Sequence, residues 1–269
     1  MRREDQERVL TEVQSRVLAE KIAQATATGG ALDEVIADSI YYERLRLKEE
    51  PDARERKEGL AFWGRVQRRM NRGGDRSHRA LVGEIVSRYA AEICGNFDER
   101  VYRIATQIGP SALGLLVNAV SPKRLLTRFP AFPGLEDSVV IQGETEHIRR
   151  LHELGTVIVV PQHVSNLDSV VMGFAVYQLG LPPLIYGAGL NLFSNPLMGF
   201  FMHNLGAYTV DRRKKDRLYK DVLKQYATLT LELGYDNLFF PGGTRSRSGA
   251  IERYLKMGLL GSGVTAYVN

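Results

Sequence analysis

Cysteine is almost missing from this chain: Cys94 stands alone among 269 residues. A single thiol cannot close an internal disulfide or build a cysteine-based metal site. Its setting, EIVSRYAAEICG, is apolar with helical spacing, so a buried, inert thiol is expected, in keeping with a reducing compartment. Long apolar runs are missing too. Nothing reaches the ~18 apolar residues of a spanning helix. The greasiest stretches, SVVMGFAVYQLGL and PLMGFFMHNLGAY, are interrupted by Pro182, Pro183, Pro196 and several glycines. They read as the walls of a hydrophobic groove or as a surface dipping into a bilayer. The N-terminus, MRREDQERV, is too charged for a secretory signal. No serine or cysteine nucleophile motif, no Gly-Lys-Ser/Thr phosphate loop and no internal repeat is present. His78, His147, His152 and His203 lack zinc-ligand spacing, so no metal and no other cofactor is expected. His147 and His152 are expected on the exposed face of one helix.

Charge is plentiful and uneven. The net charge is +5 and the pI about 9.3, which favours phosphates, anionic lipid headgroups or nucleic acid as partners. Residues 1–130 hold 23 Lys/Arg against 19 Asp/Glu, so most of the excess lies there. The densest run is Arg65, Arg68, Arg69, Arg72, Arg76 and Arg79. It reads as a solvated helix face or as a contact with an anionic membrane. No nucleic-acid module accompanies it, and no nucleic-acid partner is expected.

Apolar spacing divides the chain. Residues 1–130 read as helices. Val9, Val13 and Val17 form one stripe, and Gly29–Gly30 ends that helix. Asp33 is expected to cap a second helix running through Leu47, and Pro51 to open a third reaching Met70. NRGGD (71–75) is a break before a fourth helix from Ser77 to Cys94. Asn96 is expected to cap a fifth, broken or kinked at Pro110. The proline-bearing segment 121–138 reads as a linker. From residue 139, short apolar runs alternate with helical patterns: strands at VVIQG (139–143), TVIVV, PPLIYGAG, AYTVDR and NLFFPGG, with helices between them. That order implies an α/β fold, a mainly parallel sheet covered by helices on both faces, preceded by an N-terminal helical region. The boundary is expected at 130/131. KMGLLGSGVTAYVN is expected to be a strand in mid-sheet, which makes the chain look like a fragment truncated at its C-terminus.

Three blocks at strand ends carry the chemistry. In PQHVSNLDS (161–169), His163 follows an apolar strand and Asp168 opens a helix, with Ser165 or Asn166 as its cap. A carboxylate that fixes the tautomer of His163 lets the ring take a proton from a hydroxyl, here one belonging to a substrate. In GAYTVDRRKK (206–215) a strand opens into cations, and Arg212, nearest the strand end, is the best anion ligand. In FFPGGTRSRSG (239–249), Gly242 and Gly243 allow close backbone approach. Thr244, Arg245, Ser246 and Arg247 supply donors suited to phosphate.

These blocks, in this order, resemble the phospholipid/glycerol acyltransferase superfamily over about residues 135–269: H-x-x-x-x-D at His163 and Asp168, a glycine-bearing strand leading to arginine in GAYTVDRR, and a third motif, commonly F-P-E-G-T-R-S-R, that reads FPGGTRSR here. The run from Tyr186 to Lys215 looks most like the glycerol-3-phosphate acyltransferase branch. The resemblance implies an O-acyltransferase of phospholipid biosynthesis that needs no cofactor. It would move a fatty acyl group from acyl-CoA or acyl-carrier protein to the sn-1 hydroxyl of glycerol 3-phosphate. Lysophosphatidate or dihydroxyacetone phosphate are the alternative acceptors, and a non-catalytic lipid-binding relative the alternative role. His163 and Asp168 would be catalytic; Arg212, Gly243, Thr244, Arg245 and Arg247 would hold the phosphate. A cytoplasmic protein, peripheral at an anionic inner membrane face, would follow. The chain departs from the family pattern in two ways: Gly242 replaces the usual Glu, and the fourth motif would lie beyond Asn269.

Overall fold

The computed structural model describes residues 1, 3–107, 139–165, 168–190, 193, 196–246, 248–251 and 254–269. Four helices come first: α1 (Arg3–Thr28), α2 (Leu32–Lys48), α3 (Ala53–Met70) and α4 (Asp75–Ile93). The valine stripe of α1 is fully used, with Val9, Val13 and Val17 at most 1% exposed. Gly29 ends the helix at φ 64°, a left-handed turn that suits glycine.

Two caps differ from expectation. Asp33 lies inside the first turn of α2, after Ala31, and its Oδ1 accepts only the N–H of the next residue, Glu34. There its charge still complements the helix dipole. Asp52, just after Pro51, caps α3 by accepting from Arg54 and Glu55 N–H, both at 2.8 Å. The stretch 99–107 is helical as expected, but Asp98 caps it, accepting from Arg100 and Val101 N–H. Asn96 instead donates to the carbonyl of His203 and to the side chain of Asn204. The expected break at Pro110, the linker 121–138 and the boundary at 130/131 lie outside the described residues.

The second half alternates as its periodicity implies: α5 (Thr145–Leu154), β1 (Ile158–Val159), α6 (Asp168–Gln178), β2 (Ile185–Gly189), α7 (Pro196–Asn204), β3 (Ala207–Val210), α8 (Arg217–Glu232), β4 (Asn237–Leu238) and α9 (Met257–Val268). All four strands are parallel, in the order β1-β4-β2-β3. Alternate strand residues face opposite helix layers. Val159, Tyr186 and Leu238 pack with Ile148, Met172 and Val176 of α5 and α6, and Ala188 and Ala207 with Met202 of α7. On the other face, Ile158 and Phe239 pack with Ala227 and Leu231 of α8, and Ile185 and Tyr208 enter the large core built from α1–α4 and α8. The helical first half and the sheet therefore share one apolar core.

Two expected strands are not strands. Residues 139–143 have no regular structure; Val140 is 76% exposed, and Val139 packs only at the small cluster around Phe174. The C-terminal KMGLLGSGVTAYVN forms helix α9. One of its glycines serves close docking: a Cβ on Gly263 would stand 2.5 Å from Ile158 Cδ1. Leu259, Leu260 and Ala266 pack on α8 and the sheet. That burial outweighs the low helix propensity of glycine, about 1 kcal/mol per residue.

The greasy 169–208 run is split. Phe174, Val176 and Met202 are core residues, whereas Tyr177 and Phe200 are about half exposed. No described helix is long and apolar enough to cross a membrane.

Candidate functional site

Parallel strands deliver their following loops to one edge of the sheet. β1 and β4 are neighbours, so the segment carrying His163 lies beside the one that starts at Phe239. Among the described residues, hydrogen bonds join them. Ser246 N–H donates to the His163 carbonyl at 2.7 Å, and Gln162 Nε2 donates to the carbonyls of Ala250 (2.7 Å) and Gly249 (3.3 Å). The His163 ring stacks on Phe240, centroids 4.3 Å apart and planes at 29°.

Asp168, the first residue of α6, organises the histidine loop. Its Oδ2 lies 2.8 Å from His163 Nδ1 and accepts from Val164 N–H (2.7 Å) and Ser165 N–H (2.8 Å). Burial alone would raise its pKa. The Ser165 amide, His163 and the Val164 amide outweigh that and hold it below the ordinary carboxylate value. An ionised Asp168 accepts a hydrogen bond from Nδ1–H, which makes Nε2 the basic nitrogen. The pair is partly open, with His163 and Asp168 side chains 23% and 15% exposed. Of the two residues expected to cap α6, Ser165 contributes its amide to Asp168, and Asn166 lies outside the described residues.

The glycine-rich turn is built from backbone. Gly243 adopts φ 67° and donates to the Phe240 carbonyl at 3.1 Å, and Lys256 N–H donates to the Pro241 carbonyl at 2.7 Å. Thr244 and Arg245 are exposed, and Arg245 forms no ion pair among the described residues. Arg247 lies outside the described residues.

The cationic block after β3 divides. Arg213 wraps Asp211 through Nε (3.1 Å) and Nη2 (3.0 Å), and its Nη1 reaches Glu50 at 2.9 Å. Lys214 is buried between Glu43 (2.9 Å) and Glu92 (2.8 Å), over the rings of Tyr89 and Tyr219. Arg46 joins this network at Glu43 and Glu50. Burial tends to raise the Asp211 pKa, but Arg213 and then Arg46 bring it below its ordinary value. Arg212 alone of Arg212, Arg213 and Lys214 stays exposed without an ion pair among the described residues. β3 is the opposite edge of the sheet from β1. Three strand spacings, about 14 Å, separate the Arg212 strand end from that of His163. The structure thus brings His163, Asp168 and the Gly243–Ser246 turn together and leaves Arg212 on the same edge, farther along.

Spacing alone did not reveal Phe240 under the imidazole, Gln162 tying the two loops, or the acids in and just after α2, Glu43 and Glu50, that absorb Lys214 and Arg213. Phe240 was approachable, since it directly precedes the Pro-Gly-Gly turn; Glu43 and Glu50 are some 160 residues from their partners. His152, expected on an exposed face, instead lies 2.9 Å from the buried Asp236.

Residues 142–267 match the family model described as Acyltransferase. The chain is 33% identical over 165 residues to a glycerol-3-phosphate acyltransferase of Aeromonas hydrophila, covering 61% of this chain and 18% of that protein. It is 31% identical over 170 residues to one from Shewanella sp. strain W3-18-1, 62% and 18% of the two chains. A Xylella fastidiosa glycerol-3-phosphate acyltransferase is 35% identical over 98 residues, 35% and 11%. The chain spans less than a fifth of the length of these curated relatives. Residues 142–267, the part of the chain that holds the parallel sheet and the loops at its edge, are thus similar to an acyltransferase domain.

Proposed function

We propose that this chain carries the acyl-transfer site of an O-acyltransferase that esterifies the sn-1 hydroxyl of glycerol 3-phosphate. The observation that supports it most is the 2.8 Å His163–Asp168 pair beside the Gly243–Ser246 turn. In this reading His163 Nε2 takes the hydroxyl proton as the oxygen adds to the thioester carbonyl of acyl-CoA or acyl-carrier protein. The tetrahedral intermediate then collapses. Its C–S bond breaks, and the leaving thiolate recovers the proton from the imidazolium. Asp168 stabilises that imidazolium throughout. No covalent acyl-enzyme is needed.

Arg245, with Thr244, Arg247 and the Gly243 backbone, would hold the acceptor phosphate, and Arg212 would add a cation from the far strand. Positioning the hydroxyl against the thioester supplies much of the rate. The phosphate requirement is shared by lysophosphatidate and dihydroxyacetone phosphate, so acceptor choice is the first thing to measure. We place the protein on the cytoplasmic face of a membrane, held at its surface.

The test is thioester consumption by the purified protein with each of the three acceptors, beside His163→Ala. Transfer with glycerol 3-phosphate that vanishes in the variant is expected. Equal activity in the variant would remove His163 from the mechanism. Gly242, in the place of the family's usual glutamate, favours one second reading, a lipid-binding relative without turnover. Absence of thioester consumption with every acceptor would select it.

A further inference from the structure

Away from the sheet edge, a dense cluster of positive charge sits where α3 turns into α4. Arg65, Arg68, Arg69, Arg72, Gly73 and Ser77 line a cavity of about 300 Å³. Glu84 of α4 holds Arg65 at 3.4 Å and Arg69 at 2.5 Å, which sets one wall. Arg68, in the last turn of α3, and Arg72, in the turn that follows it, are exposed and form no ion pair among the described residues. The corner is tight: a Cβ on Gly73 would stand 2.5 Å from Ser77 Oγ and 3.0 Å from the Arg69 carbonyl. Cations in the last turn of α3 offset its dipole, which accounts for Arg68 and Arg69 but not for four guanidiniums around one cavity. Guanidinium forks suit the oxygens of a phosphate.

We propose that this corner is a second anion site, which docks the phosphate of an acidic phospholipid headgroup at a bilayer surface. The proposal rests on the reading of the protein as one that works at a lipid surface, and it locates the contact. All six arginines of the run are exposed; Arg65 and Arg69 pair with Glu84 and Arg79 with Asp75, which leaves Arg68, Arg72 and Arg76 without an ion pair among the described residues. Single-stranded nucleic acid would need aromatic platforms for its bases, but Phe62 and Trp63 beneath the arginines are buried, at 8% and 0% exposure. The site is separate from the candidate reaction centre. Its lining residues belong to α3, α4 and the turn between them, whereas His163, Asp168 and the Gly243–Ser246 turn follow β1 and β4.

Sedimentation of the intact protein with vesicles tests this. Binding to phosphatidylcholine vesicles doped with phosphatidylglycerol is expected, with none to phosphatidylcholine alone. Each cation at an anionic surface strengthens partition about fivefold, so the double variant Arg68→Gln/Arg72→Gln should bind about 25-fold more weakly. Arg8→Gln/Arg100→Gln removes the same charge elsewhere and should leave partition nearly unchanged. Equal losses in the two double variants would overturn the site. So would a saturable response to inorganic phosphate, or to single-stranded RNA, that Arg68→Gln/Arg72→Gln abolishes while vesicle binding persists. Thioester turnover with a soluble acceptor is read in parallel and should be unaffected by Arg68→Gln/Arg72→Gln. Vesicle binding that depends on Arg68 and Arg72 in a protein showing no turnover would support this site and count only against the proposed reaction.

Discussion

Two arginine-bearing segments leave the same edge of the sheet and meet opposite fates. The turn 211–216 is drawn inward, with Arg213 and Lys214 neutralised by Glu43, Glu50, Glu92 and Asp211, and Asp216 capping α8 while accepting from Tyr89. The turn 241–246 is held by backbone hydrogen bonds, and its Arg245 stays in solvent. The first spends Arg213 and Lys214 on attaching the helical half to the sheet and leaves Arg212 in solvent. The second keeps its cation available beside His163. Cationic residues near a site are therefore not equivalent, and ion pairing sorts them into attachment and capture.

The largest expected effect removes the reactive group from the open side. His163→Ala should lower acyl transfer about 10²- to 10⁴-fold, the range of a general base, with the melting temperature little changed. Breaking the closed side should do the reverse. Glu43→Ala leaves the buried Lys214 with Glu92 alone and Arg46 with Glu50 and Glu55, a loss of at most about 3–5 kcal/mol, readable by urea denaturation. The adjacent arginines sharpen the contrast. Arg212→Gln should raise KM for a phosphate-bearing acceptor about tenfold, the strength of a hydrogen bond to a charged group, at constant melting temperature. Arg213→Gln should lower the melting temperature and change KM less; the opposite pattern would reverse the roles given to them. Gly243→Ala forces a side chain into a left-handed conformation at about 1–2 kcal/mol and should loosen the turn.

The smallest effect is one of pH. Asp168 has a folded pKa below its ordinary 3.8, so its stabilisation is present above about pH 4 and fades as pH falls through the lowered value. The melting-temperature gap between wild type and Asp168→Asn should be widest near neutrality and narrow toward pH 3. A gap independent of pH would remove the ionised carboxylate from the loop's support.

Much of the fold was legible because apolar spacing is local information. The valine stripe of α1 and the strand–helix alternation after residue 155 announced their elements. Caps were harder to read, since Asp33 and Asp52 are equally good capping residues and only the chain path selects one. The C-terminal helix was misread as a strand because its glycines hide a helical pattern whose partner, α8, is remote in sequence. Within the site, His163 and Asp168 are five positions apart and could be paired on paper. The Gly243–Ser246 turn joins them only because β4 inserts next to β1.

By itself, the sequence determined the alternation of elements, the buried thiol, the family resemblance and the identity of the histidine, carboxylate and glycine-rich blocks. Each depends on neighbours within a few residues. Tertiary structure alone decided which cations stay available. That outcome depends on strand order and on acids contributed by α2 and α4, and Coulomb attraction follows distance in space rather than separation along the chain.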